Sequence, residues 1–183
     1  MPHIINREHF LQVVRNNLFH GKLKQSQVDG MTGILDEWET SYANSDDRFL
    51  AYMLATTFHE TATTMQPIEE FGKGAGRPYG KPDPVTGKVY YGRGFVQLTW
   101  KDNYDKFGKL LKADLLHSPE LALELTNATK ILFIGMTKGM FTGKKLADYF
   151  VGAKSDWVNA RRIINGTDRA ALIAGYGNTF YSA

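Results

Sequence analysis

Helical periodicity runs through this sequence on both sides of one interruption, and that interruption constrains the fold more than any other feature. Between Gly72 and Gly94, glycine and proline recur too often for a helix. Within it, Pro82-Asp83-Pro84-Val85-Thr86-Gly87 reads as a turn ahead of the strand-like Lys88-Val89-Tyr90-Tyr91. The chain is therefore expected to be mainly α, with a small β-hairpin or loop lobe set into a helical body. Before the interruption, Phe10, Val13, Val14 and Leu18 share one face of a helix from Asn6 to Leu18, capped by Asn6 and stopped at Gly21. A second helix, from about Ser26 to Tyr42, carries Val28, Met31, Ile34, Leu35 and Trp38. A third opens at Ser45 with Asp46 and Asp47 in its first turn, carries Phe49, Leu50, Met53, Leu54 and Phe58, and ends near Glu60. Beyond the interruption, a helix follows Trp100 through Tyr104, Phe107, Leu110 and Leu111, and Ser118-Pro119-Glu120 starts another. The segment from Asn127 to Met140 is apolar on most sides, the mark of a central helix, and the last two helices are expected to begin near Ser155 and Thr167.

At 183 residues, with no repeat and no linker, the chain reads as one domain over 1–183 without a separate wall-binding module. It contains no cysteine, so stability must come from packing. Met1 to Phe10 alternates polar and apolar residues without the apolar run of a signal peptide, and no segment approaches the roughly 20 apolar residues of a membrane span. Synthesis in the cytoplasm without membrane insertion is the expectation. The net charge of +3 is dispersed; it favours contact with polyanions, ordinary solubilising charge explains it equally, and no basic arm points to nucleic acid. His3, His9, His20, His59 and His117 lack metal-ligand spacing, and Gly92-x-Gly94 lacks the third glycine of a dinucleotide loop, so neither a metal nor a cofactor is expected.

Two groups of residues carry chemistry. Glu60 closes an apolar helix, where burial and the negative helix end both favour its protonated form, as a proton donor to a glycosidic oxygen requires; a glutamate at a helix end is otherwise a solvated surface residue. Glu69 and Glu70 follow where the chain has left that helix, and hydrolysis of a glycoside needs one protonated and one ionised carboxyl. A separation of about 6.5–9.5 Å would lead to inversion and about 5 Å to a covalent retaining route. The second group is Tyr90-Tyr91-Gly92-Arg93-Gly94-Phe95-Val96-Gln97-Leu98-Thr99-Trp100 with Asn103 and Tyr104. Gln97 and Thr99 alternate, presenting an amide and a hydroxyl to one side, while tyrosine and tryptophan offer flat faces to sugar rings. A buried aromatic strand is the competing reading.

His59-Glu60-Thr61, the run from Tyr91 to Thr99 and Ile163-Ile164-Asn165-Gly166 together resemble the motifs of family 19 chitinases and, more closely, of the chitinase-like lysozymes that bacteriophages use as endolysins. The resemblance extends from about Phe10 to Tyr181. It implies a lysozyme-like helical domain whose substrate cleft lies between the helices and the glycine-rich lobe. It further implies Glu60 as general acid, Glu69 as base with Glu70 as its rival, and Thr99 as holder of the attacking water. Tyr90, Gln97 and Asn165 then line the sugar cleft with Trp100 and Asn103, Arg161 or Arg162 supports the acid pair, and Arg93 pins the loop. The implied activity is muramidase-type hydrolysis of β-1,4 bonds in peptidoglycan glycan strands with inversion, by a monomeric endolysin that waits in the host cytoplasm until the membrane is permeabilised. A chitinase, a lytic transglycosylase and a non-enzymatic wall-binding module remain as alternatives. The run Ala62-Thr63-Thr64 and the short segment between the two acids depart from the plant-type pattern, which bears on the choice of base.

Overall fold

The structure, a computed structural model, describes residues 4–183; His3 and the first two residues of the N-terminal alternation lie outside the described residues. Helices α1 (Arg7–Asn17), α2 (Gln25–Glu37) and α3 (Asp47–Glu60) precede the lobe, and α4 (Lys101–Leu111), α5 (Leu125–Lys138) and α6 (Ala170–Tyr181) follow it. Asn6 caps α1 by accepting from the His9 backbone N–H at 3.1 Å, as its position implied. The cap of α3 is Asp46 rather than Ser45: Asp46 has extended backbone and its carboxylate accepts from Arg48 N at 3.0 Å, whereas Ser45 N is already turned onto Tyr42 O.

The central helix is α3. From Leu50 to Phe58 every residue is buried, so this helix is enclosed on all sides, more continuously than α5. Its partner is α6, where Phe58 meets Tyr176 edge-on at 4.8 Å and Phe180 at 6.1 Å. On the other flank Trp38, Tyr42 and Phe133 join α2 and its terminal π-helical turn, Trp38–Tyr42, to α5, with Tyr42 and Phe133 4.8 Å apart. Each such side chain contributes about 1.5–3 kcal/mol on burial, which is how a cysteine-free chain of this size holds together.

The lobe contains little regular structure. Strand β1 (Ile68–Glu69) pairs antiparallel with β2 (Arg93–Gly94), Ile68 opposite Gly94 and Glu69 opposite Arg93. The strand expected over Lys88–Tyr91 does not form: the pairing lies at 93–94, and the Val89 carbonyl accepts a side-chain bond from Arg93. The expected alternation of Gln97 with Thr99 is replaced by a tight loop: Arg93 and Leu98 exchange backbone bonds at 3.2 and 2.9 Å, and Gln97 adopts φ +54°. Ser155 does not start a helix either. It ends a second hairpin, β3 (Phe150–Val151) with β4 (Lys154–Ser155), and a short 3-10 helix follows at Asn159–Ile163.

Candidate active site

The segment between Glu60 and β1 fixes how two acids relate. The Thr61 hydroxyl donates to Thr57 O at 2.7 Å and accepts from Met65 N at 3.1 Å, which folds residues 61–65 into a closed turn at the end of α3. Ala62, Thr63 and Met65 all have left-handed φ, 48°, 66° and 53°, a cost of about 1–3 kcal/mol each for such residues. Neighbouring α2 holds the turn in place: Gln27 Nε2 donates to Thr63 O at 3.0 Å, and Gly30 packs so closely that a Cβ there would lie 1.7 Å from Met65 O.

Glu60 ends α3 with a side chain 17% exposed, paired to Arg161, whose Nη1 donates to Oε1 at 2.6 Å. Arg161, 5% exposed, sits in the 3-10 helix Asn159–Ile163 and also donates from Nε to Asp168 O at 3.1 Å. Arg162 is exposed, and its carbonyl accepts from the Thr142 hydroxyl at 2.7 Å. Of the pair offered by the sequence, Arg161 is therefore the one joined to an acid.

Glu69 and Glu70 point to different fates. Glu70 is tied into the lobe, accepting from Tyr79 Oη and Gly92 N, both at 2.9 Å. Glu69 is 36% exposed; Oε1 accepts from Tyr91 Oη at 2.5 Å and Oε2 faces Lys73 Nζ at 3.0 Å. The Tyr91 hydroxyl and then the Lys73 ammonium hold its carboxyl below the usual carboxylate range, so it is ionised at neutral pH. Arg93 is buried as a pin, donating from Nη1 to Val89 O at 3.0 Å and Tyr104 Oη at 3.1 Å.

Gln97 donates from Nε2 to Ile68 O at 3.1 Å and Gly94 O at 3.2 Å. Thr99 is half-buried; its carbonyl accepts from Asn103 Nδ2 at 2.9 Å, and its hydroxyl makes no hydrogen bond among the described residues. Trp100 is 49% exposed, meets Tyr79 edge-on at 5.3 Å, and has φ +73°, an outlier for so bulky a residue. Tyr90 corrects the sequence reading: it is 3% exposed, its ring lies against Tyr104, and its hydroxyl donates to Leu116 O at 2.8 Å, so it supports the lobe from inside and offers no face to a sugar. Asn165 is exposed in the distal loop, where its Oδ1 accepts from Gly166 N at 2.8 Å.

The sequence reading missed the hold on Glu69. Lys73, four residues on, was legible as a charge pair, and Tyr91 lay within the motif without a partner to assign it. Among the described residues no cluster of histidine and acids is placed to hold a metal, and no helix is long and apolar enough to cross a membrane. A concavity of about 720 Å³ beside α1, lined by Glu8, Arg15, Lys22 and Leu23 among others, contains none of these acids.

Residues 38–140 match the family model described as "Chitinase class I". Similar curated proteins include "Endochitinase At2g43590" of Arabidopsis thaliana, 34% identical over 143 residues, which cover 75% of this chain and 52% of that protein. "Chitinase 3" of Oryza sativa subsp. japonica is 33% identical over 110 residues, 51% of this chain and 34% of that one. The chain thus spans about a third to a half of the length of these relatives. Among solved structures, chitinase C from Streptomyces griseus HUT6037 superposes with a TM-score of 0.62 at 22% identity, covering 96% of this chain and 73% of that chain, a likeness of fold.

Proposed function

Because this chain belongs to the class I chitinase family, glycoside hydrolase family 19, we propose that it hydrolyses β-1,4 bonds between amino sugars, with residues 1–183 as one catalytic domain. The observation that carries the reading is the contrast between two carboxyls. Glu60 is enclosed at a helix end against Arg161, and Glu69 is a more open carboxylate held ionised by Tyr91 and Lys73. Glycosidic hydrolysis divides its work between two such environments.

In this mechanism Glu60 protonates the departing oxygen, and substrate excludes water from the site as it binds. Glu69 orients a water on the opposite face of the sugar, with the unengaged Thr99 hydroxyl as second partner of that water, and the anomeric centre inverts. Trp100 offers its exposed face to a sugar ring and Asn165 its exposed side chain, while Gln97 and Asn103, whose amide N–H groups are held by backbone carbonyls, offer their side-chain oxygens to the glycan. Glu69 is favoured over Glu70 as base because the Lys73 ammonium on its second oxygen is solvent-exposed, whereas both oxygens of Glu70 are taken by Tyr79 and the Gly92 backbone.

For the substrate we favour the glycan strands of peptidoglycan, cut by a monomeric endolysin that reaches the wall after the membrane is permeabilised; the net charge of +3 suits an anionic wall. The second reading is chitin, favoured by the names of the relatives. One experiment tests both: the parent, Glu60→Gln, Glu69→Gln and Glu70→Gln are incubated with purified peptidoglycan and with chitin oligomers, and the reducing ends and product anomers are read. Glu60→Gln and Glu69→Gln are each expected to lose at least about a hundredfold, and Glu70→Gln far less. Undiminished cleavage by Glu60→Gln refutes the acid assignment, an anhydro product refutes hydrolysis, and turnover of chitin alone replaces peptidoglycan as substrate.

A further inference from the structure

Glu69 is held on its two oxygens by groups of very different rigidity. Oε1 accepts from Tyr91 Oη at 2.5 Å, and Tyr91 is itself locked: it is 8% exposed, and the Arg93 guanidinium lies 3.7 Å from its ring centre. Arg93 is fixed in turn by the Val89 carbonyl and by Tyr104, whose hydroxyl donates to Tyr91 O at 2.7 Å. Among the described residues Oε2 has only Lys73, a side chain 63% exposed on a loop whose residues Gly72, Lys73 and Gly74 all have left-handed φ. One oxygen thus faces a buried aromatic-guanidinium stack and the other a solvated ammonium that an incoming ligand can displace.

We propose that Tyr91, backed by Arg93, is a positioning residue for Glu69: it anchors one carboxylate oxygen in a fixed direction and leaves the other, held only by Lys73, to take the water. The inference rests on the reading of Glu69 as base. Arg93 is committed to its role as backing, because its Nε is buried without a hydrogen-bond partner 4.0 Å from Glu69 Oε1, close enough to act by charge and too far to bond. The charged and titratable groups that face Glu69 are Lys73 on its own loop and Tyr91, Arg93 and Tyr104 from the opposing segment. The direction of its titration agrees, the Tyr91 hydroxyl being the largest cause that lowers it and Lys73 the next.

The test uses the full chain with Tyr91→Phe, which keeps the ring on Arg93 and removes only the hydroxyl, beside Lys73→Met. Two readings are made: the titration of the Glu69 carboxyl by carbon NMR in the substrate-free protein, and the acidic limb of kcat/KM on the glycan that the parent cleaves. In Tyr91→Phe both are expected to move to higher pH, with kcat/KM at the foot of the limb falling about tenfold for each pH unit moved and KM little changed. In Lys73→Met the carboxyl moves up by less, and kcat falls by less than in Tyr91→Phe. An unchanged Glu69 titration in Tyr91→Phe overturns the proposal, as does a greater loss of kcat in Lys73→Met than in Tyr91→Phe. A parent that cleaves neither glycan removes the hydrolase reading alone, because a Tyr91-dependent titration of Glu69 would still establish the hold.

Discussion

Replacing Arg161 by Met probes the acid of the site and the fold together. The substitution keeps much of the side-chain volume and removes the guanidinium that bonds Glu60 at 2.6 Å and Asp168 O at 3.1 Å. Both partners of the ion pair are largely shielded, at 5% and 17% exposure, so the remaining carboxylate cannot be fully rehydrated. Removing one member of a buried pair costs about 3–5 kcal/mol, and the residual opening at Glu60 sets the expectation at the lower end, about 3 kcal/mol. For a chain of this length about 2–4 °C is lost per kcal/mol, which predicts a fall in Tm of about 6–12 °C. Thermal unfolding followed by circular dichroism reads that fall, and a cycle with Glu60→Gln isolates the pair. The double variant should be more stable than the sum of the single losses implies, by about 2 kcal/mol, since removing both charges leaves none uncompensated. A loss below about 1 kcal/mol in Arg161→Met, or additivity in the cycle, would refute the argument that this contact is a shielded ion pair.

Two further outcomes follow from the lobe and from the turn behind the acids. Asp83 accepts from the Thr86 and Val85 backbone N–H groups and from Lys101, and these bonds, Thr86 first, bring its carboxyl down to about 2 from an ordinary 3.8. Since its folded value lies below its unfolded one, its contribution is complete above about pH 4 and lost as pH falls toward 2. Asp83→Asn should therefore melt below the parent at neutral pH and converge with it in acid, and a gap constant with pH in calorimetry would count against this. Gly30→Ala drives a methyl into Met65 O, a backbone atom, and should cost at least about 1–3 kcal/mol by urea unfolding. If the chain cleaves glycans as proposed, that activity should fall with it, because the displaced turn carries the chain from Glu60 to Glu69.

What was legible in the sequence had a local cause. Helices α1 to α5 announced themselves because each buries one face or nearly all of its surface, and Glu60 fell at a helix end because the apolar pattern stops there. What was not legible depends on partners far along the chain. The β3–β4 hairpin is grasped by Arg48, which donates to Gly152 O at 3.1 Å, Lys154 O at 2.9 Å and Ser155 Oγ at 2.6 Å, a hundred residues away. Tyr90 read as a sugar platform because its type suits one, and only the Leu116 carbonyl and the Tyr104 ring reveal that it faces inward. The different surroundings of Glu69 and Glu70 were equally closed to sequence, since only the fold brings Tyr79 and Gly92 to Glu70 and Tyr91 to Glu69.

Backbone strain separates the candidate site from the rest of the fold. Among the described residues nine other than glycine have positive φ, and six of these, Ala62, Thr63, Met65, Lys73, Gln97 and Trp100, lie between Glu60 and α4. At about 1–3 kcal/mol each, such conformations persist only where surrounding contacts overdetermine them. Those contacts are visible: the Thr61 hydroxyl and Gly30 behind the first turn, the amide of Gln97 anchored to Ile68 and Gly94, and Trp100 N bonded to Tyr90 O at 3.0 Å. The burial of Tyr90 and Arg93 thereby acquires a purpose. They form the rigid underside against which strained segments and the Glu69 carboxylate are held, so substitutions in that underside should reach the acids without touching a sugar.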